Sequence, residues 1–83
     1  MPNDKPMQPV YQAIGARIQM IRAAIGVTQQ ELSKRVKEQG CSLNRPSFAN
    51  IEAGRQRIAL HDIEAIARAL NCSMKHLLKG IWW

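Results

Sequence analysis

Four isoleucines, Ile14, Ile18, Ile21 and Ile25, recur at spacings of four, three and four residues. A strand puts alternate residues on one face, whereas a helix brings together residues three and four apart. The stripe therefore predicts a helix from about Val10 to Ile25, with Arg17, Gln19 and Arg22 elsewhere on the wheel. Gly26 suits the left-handed position that follows such a helix. The same period continues through Leu32 and Val36, through Phe48 and Ile51, and through Ile63, Ile66, Ala67 and Leu70. No stretch shows strand-like alternation. The expected fold class is all-α, a compact bundle of about five helices.

Local signals set the boundaries. Thr28-Gln29-Gln30-Glu31 is a capping-box sequence, with Thr28 as N-cap and Glu31 three residues on. The second helix should end near Gln39, stopped by Gly40. In the stretch Cys41 to Arg55, Asn44 is a good N-cap, so Arg45 and Pro46 fall in a first helical turn. Proline is tolerated there because the N–H it lacks would have no partner within the helix. Arg45-Pro46 thus begins a short third helix that Gly54 closes. A fourth helix runs from Leu60 to Leu70, frayed at Ala59, a poor cap, and stopped by Asn71. Ser73 caps a last short helix holding Met74, Leu77 and Leu78 and ending near Gly80.

At 83 residues the chain reads as one domain. Residues 1–9, with Pro2, Pro6 and Pro9, read as a flexible lead-in, and residues 10–83 as the folded domain. The lead-in has no apolar core and carries Asp4, unlike a secretory signal. No apolar run approaches the roughly 18 residues that span a bilayer. Cys41 and Cys72 then read as reduced, packed thiols of a cytoplasmic protein. Cys41, Cys72, His61 and His76 lack the short spacings of a zinc site, so no metal or cofactor is expected. His61 and Asp62 are neighbours that point apart on a helix, with no nucleophile or paired carboxylates beside them. An enzyme is not expected.

Charge points to an anionic partner. The net charge is +6, with a pI of about 10.0. Lys34, Arg35, Lys37, Arg45, Arg55 and Arg57 against Glu38 and Glu52 place +4 of that total within residues 34–57. Such an excess in a small domain favours nucleic acid.

In order, Thr28-Gln29, Leu32-Ser33, Ile51-Glu52-Ala53-Gly54 and Ala69-Leu70-Asn71-Cys72 resemble the helix-turn-helix family of lambda repressor and Cro, also called XRE-type. The resemblance covers roughly residues 11–80. It implies a lambda repressor-like DNA-binding domain that lays the helix at residues 44–53 in the major groove of double-stranded DNA, amino end first. One departure is clear: "KEQGCSLN" lengthens helix 2, the turn after it, or both.

On that reading Arg45 can pair bidentately with guanine, Ser47 can meet a base edge or a phosphate, and Asn50 can reach adenine or a phosphate. Asn44 is a phosphate candidate that also has a capping duty. Gln29 matches the family glutamine that binds a phosphate at the start of helix 2. Arg55 and Arg57 follow helix 3 and are candidates for the DNA backbone. Glu52 reads as structural, a partner for Arg57 or Arg45. Phe48 reads as core in preference to an intercalating wedge.

Trp82 and Trp83 are costly to leave in water. They fold back on helix 1 or pack against a second subunit. The family often dimerises through its last helix, which makes them candidate interface residues of a homodimer. The function expected is sequence-specific DNA binding by a transcriptional repressor or autoregulator. Small repressors, controllers of restriction–modification systems and antitoxin-like proteins all fit. The competing reading is a protein-interaction module whose basic face docks on an acidic partner.

Overall fold

The computed structural model describes residues 9–81. Over that span the chain forms α1 (Pro9–Ala24), α2 (Gln29–Glu38), α3 (Arg45–Glu52), α4 (Leu60–Ala69) and α5 (Met74–Leu78). Among the described residues there is no strand. Pro9, assigned from sequence to the lead-in, is instead the first residue of α1, where a proline with its fixed φ is well tolerated. The remaining lead-in, residues 1–8, and the proposed interface residues Trp82 and Trp83 lie outside the described residues.

The capping chemistry forms as the sequence predicts. The Thr28 hydroxyl accepts from the Glu31 N–H at 3.0 Å, and the Thr28 N–H donates to Glu31 Oε1 at 2.9 Å. The bond from the Thr28 N–H holds the Glu31 carboxyl below the usual range. Asn44 Oδ1 accepts from the Ser47 N–H at 3.0 Å, and Ser73 Oγ from the His76 N–H at 2.9 Å. Ala59 contributes no side-chain cap to α4.

After α2, Gly40 adopts φ +84°. The Cys41 N–H reaches the Val36 carbonyl at 2.9 Å, and the Gly40 N–H reaches the Lys37 carbonyl at 3.0 Å. This pair of bonds is a Schellman closure, which satisfies carbonyls left over at the helix end. Since α2 stops at Glu38, the connection to α3 runs over residues 39–44. It is anchored. Cys41 is buried, Leu43 packs against the core, and Cys41 Sγ donates to Asp62 Oδ1 of α4 at 3.2 Å. Burial pushes the Cys41 thiol up and keeps it a protonated donor.

The core gathers Ile14 and Ile18 from α1, Leu32 and Val36 from α2, Phe48 and Ile51 from α3, Ile66 from α4 and Leu77 from α5. Phe48 is fully buried, so it is not available as a wedge. Burial of a side chain this size stabilises by about 1.5–3 kcal/mol. Ile21 is partly buried, while Ile25 lies beyond the end of α1 and is 48% exposed. The last member of the isoleucine stripe therefore lies outside the core.

α1 packs on α3 and α5, α2 on α3 and α4, and α4 on α5. The contact between α1 and α3 is unusually close. A Cβ at Gly15 would stand 2.0 Å from the Ile51 carbonyl oxygen, and one at Gly54 would meet Gln12 Cγ at 2.8 Å. Backbone thus lies on backbone where α3 ends. Gly15→Ala improves intrinsic helix propensity by about 1 kcal/mol. The clash is with main chain, which cannot rotate away, so a net destabilisation of about 1–3 kcal/mol is expected. Urea unfolding measures it; a variant as stable as the wild type would mean that the two helices part without cost.

Candidate nucleic-acid interface

Buried residues fix which way α3 faces. Phe48, Ile51 and Glu52 turn inward, and Arg45, Pro46, Ala49, Asn50 and Ala53 are exposed. Ser47 is half-buried on the flank. The exposed face therefore carries two long polar side chains, Arg45 and Asn50, on a low ridge of proline and alanine. Low relief matters, because a helix must come close to base edges before its side chains can read them.

Glu52 is the sole carboxylate between Gln39 and His61. Its partner is neither Arg57 nor Arg45, as the sequence suggested, but Arg22 of α1. Arg22 Nε donates to Glu52 Oε2 at 2.6 Å, and Arg22 Nη2 donates to Oε1 at 2.9 Å. The two side chains are 15% and 4% exposed. A parallel two-bond pair of this kind is both strong and directional. The bond to Glu52 raises the Arg22 pKa, so the guanidinium stays charged. Arg22 Nη1 also donates to the Val27 carbonyl at 2.8 Å, in the turn before α2.

Gln29 completes the cluster. It is the first residue of α2, and its Nε2 donates to Glu52 Oε1 at 2.9 Å. The sequence placed this amide on a phosphate; here its nitrogen is held by the end of α3. One carboxylate thereby ties together α1, the α1–α2 turn, the amino end of α2 and the carboxyl end of α3. Sequence inspection missed Arg22, because on a helical wheel it reads as a solvated cation. The one available signal was a lone acid inside a basic segment.

The other candidates fall into two groups. Asn50, Arg45, Arg55 and Arg57 are exposed. Asn44 is exposed, with its side-chain oxygen engaged in the cap of α3. One cation of residues 34–57 also has a partner within the fold, however. Arg35 Nη1 donates to the Ala69 carbonyl at 3.2 Å, at the end of α4. Lys34 and Lys37 are exposed on α2. No group of three His, Cys, Asp or Glu side chains able to hold a metal gathers among the described residues. None of the helices described is long and apolar enough to cross a membrane.

A family model described as a helix-turn-helix domain matches residues 13–78, from within α1 to the end of α5. The chain belongs to this helix-turn-helix domain family. Curated proteins give no match. Among solved structures, this helix-turn-helix chain is similar to the hypothetical transcription factor NHTF from Neisseria, at 28% identity and TM-score 0.74, over 94% of this chain and 85% of that one. It is similar to the restriction-modification controller protein C.AhdI from Aeromonas hydrophila, at 25% identity and TM-score 0.72, over 81% and 94% of the two chains. The controller protein C.Esp1396I, solved as a tetramer with its natural 35 base-pair operator, shares the fold at 22% identity and TM-score 0.74, over 92% and 99%.

Breaking the Glu52 cluster is expected to destabilise this helix-turn-helix unit. Glu52→Gln keeps the shape but removes the charge that compensates Arg22. Leaving a guanidinium partly buried without its partner is expected to cost about 3 kcal/mol. Denaturant titration measures this, and a loss below about 1 kcal/mol would put the pair in the class of solvent-screened surface bridges.

Proposed function

We propose that α3 is the recognition helix of a sequence-specific repressor or autoregulator and enters the major groove amino end first. As a helix-turn-helix protein, the chain is a DNA-binding transcription regulator. The observation that carries the finer reading is the burial of Glu52. The one acidic group of α3 is turned inward and neutralised by Arg22. The outward face keeps only polar, apolar and positive groups. A groove walled by phosphates repels a carboxylate, and this face has none.

In this reading Arg45 pairs with a guanine, and Asn50 meets an adenine or a phosphate. Ser47, half-buried, reaches a phosphate or base edge from the flank. Asn44 stays with its cap and lies close to the same backbone. Gln29 acts at the amino end of α2, where first-turn N–H groups favour a phosphate, and its side chain braces that end against Glu52. Arg55 and Arg57 follow α3 and grip the backbone beyond it. Two copies, a homodimer, supply two recognition helices for half-sites about 34–36 Å apart. The related controller C.Esp1396I, found as a tetramer on its operator, supports oligomeric binding. The protein works without a cofactor or catalytic step, in the cytoplasm.

Arg45→Ala is expected to cost about 1–3 kcal/mol per half-site and to relax preference at one base position. Binding-site selection with the variant tests this. Equal weakening on every sequence would make Arg45 a phosphate contact and remove it as a base reader.

Arg55→Ala and Arg57→Ala are expected to weaken specific and random DNA alike, each lowering the salt slope by about 1 per site. Titrations at several salt concentrations give the slope. If it is unchanged in both variants, the loop lies away from DNA. If the wild type shows no sequence preference at all, the basic face serves an acidic protein partner.

A further inference from the structure

At about 100° per residue, the exposed side chains of α3 and its C-cap follow one another round the helix in the order Arg45, Ala49, Ala53, Pro46, Asn50. The two long polar groups are the edges of this face. Between them lies a strip of small apolar side chains with no hydrogen-bonding group of its own. α2 is built differently: its exposed residues, Gln30, Glu31, Lys34, Arg35, Lys37 and Glu38, are all long and polar or charged. The strip on α3 is not part of the core either. Phe48 and Ile51 are the residues of α3 that pack inward, and Ala49 is exposed.

We propose that Ala49 is a specificity-determining residue that selects a thymine through its 5-methyl group. The inference rests on the reading of α3 as the recognition helix and names what the middle of its outward face selects. In the major groove the base edges present hydrogen-bonding atoms, and the apolar group among them is the thymine methyl. An alanine pressed against N7, O6 or an exocyclic amine takes water from a polar atom and returns no bond. Against a methyl it removes apolar surface from water on both sides and leaves nothing unpaired. Ala49 is placed for this contact. It lies one turn beyond Arg45 on the same side of the helix, and its short side chain lets the backbone come close. Pro46 and Ala53 flank it round the wheel, so the methyl meets apolar surface on that side too. Arg45 and Asn50, at the edges, keep the hydrogen-bonded contacts. One face of α3 thus reads a guanine by hydrogen bonds and a thymine by exclusion of water.

The probe is the duplex recovered by binding-site selection, with each thymine replaced in turn by uracil. Uracil pairs with adenine as thymine does and lacks only the methyl. At one thymine position the replacement is expected to weaken wild-type binding about three- to fivefold for each half-site changed. In Ala49→Gly the ratio between the two duplexes should fall to about one at that position and stay unchanged at the others. Any folding cost of the glycine enters both duplexes equally and cancels in the ratio. If Ala49→Gly loses its helical circular dichroism, Ala49→Ser puts a hydroxyl against the methyl and should also lower the ratio. Uracil tolerated at every thymine overturns the proposal, as does a uracil penalty that neither Ala49 variant changes. In both cases a surviving preference for the selected duplex keeps α3 as the recognition helix. No preference for any duplex over random DNA overturns that reading and this one with it.

Discussion

The two-bond pair between Arg22 and Glu52 is the interaction on which the rest of the arrangement depends. It spans helices that are distant in sequence and lies where three of them converge. A buried ion pair of this kind is a weak source of net stability, because both charges must first leave water. What it supplies is geometry. The fork of a guanidinium meets a carboxylate in one plane, so the end of α3 is held at a fixed angle to α1. Gln29 and the Val27 carbonyl use the remaining capacity of the same two groups. No buried polar side-chain atom among the described residues is left without a partner.

Packing completes what the ion pair begins. α3 has eight residues, too few to be helical by itself in water. Its helicity comes from the Asn44 cap, the Gly54 closure and the burial of Phe48 and Ile51 against α1 and α2. At Gly15 the helices touch main chain to main chain, which leaves α3 no room to rock. The connection before α3 is longer than the family's usual tight turn, yet Cys41 and Leu43 anchor it to the core and to Asp62. A lengthened link therefore feeds into a helix whose position is set elsewhere.

Much of this was legible in the sequence, because the signals are local. Thr28 with Glu31, Asn44 before Arg45-Pro46, and Ser73 each announce a helix start through a bond made within three residues. Gly40 and Gly54 announce ends for the same reason. The periodicity of Ile14, Ile18, Phe48, Ile51 and Ile66 placed the core. Long-range polar pairing was not legible. The acid at Glu52 could have met Arg45 or Arg57 by proximity in sequence, and only the crossing of α1 over α3 brings Arg22 to it. The same limit applies to Arg17 and Arg35, which read as solvated cations in the sequence and donate to carbonyls at the ends of α5 and α4.

The division of α3 into an inward and an outward face has an evolutionary consequence. Phe48, Ile51 and Glu52 hold the helix, while the side chains of Arg45, Ala49 and Asn50 are exposed. Substitutions in the second set leave the fold nearly unchanged, since exposed helix positions away from caps and packing move stability by about 0.5 kcal/mol or less. If the exposed face reads DNA as proposed, a lineage carrying this scaffold can drift from one target sequence to another through folded intermediates. The scaffold residues, by contrast, constrain one another: a change at Glu52 leaves Arg22 without its partner, and a side chain at Gly15 demands that a helix move.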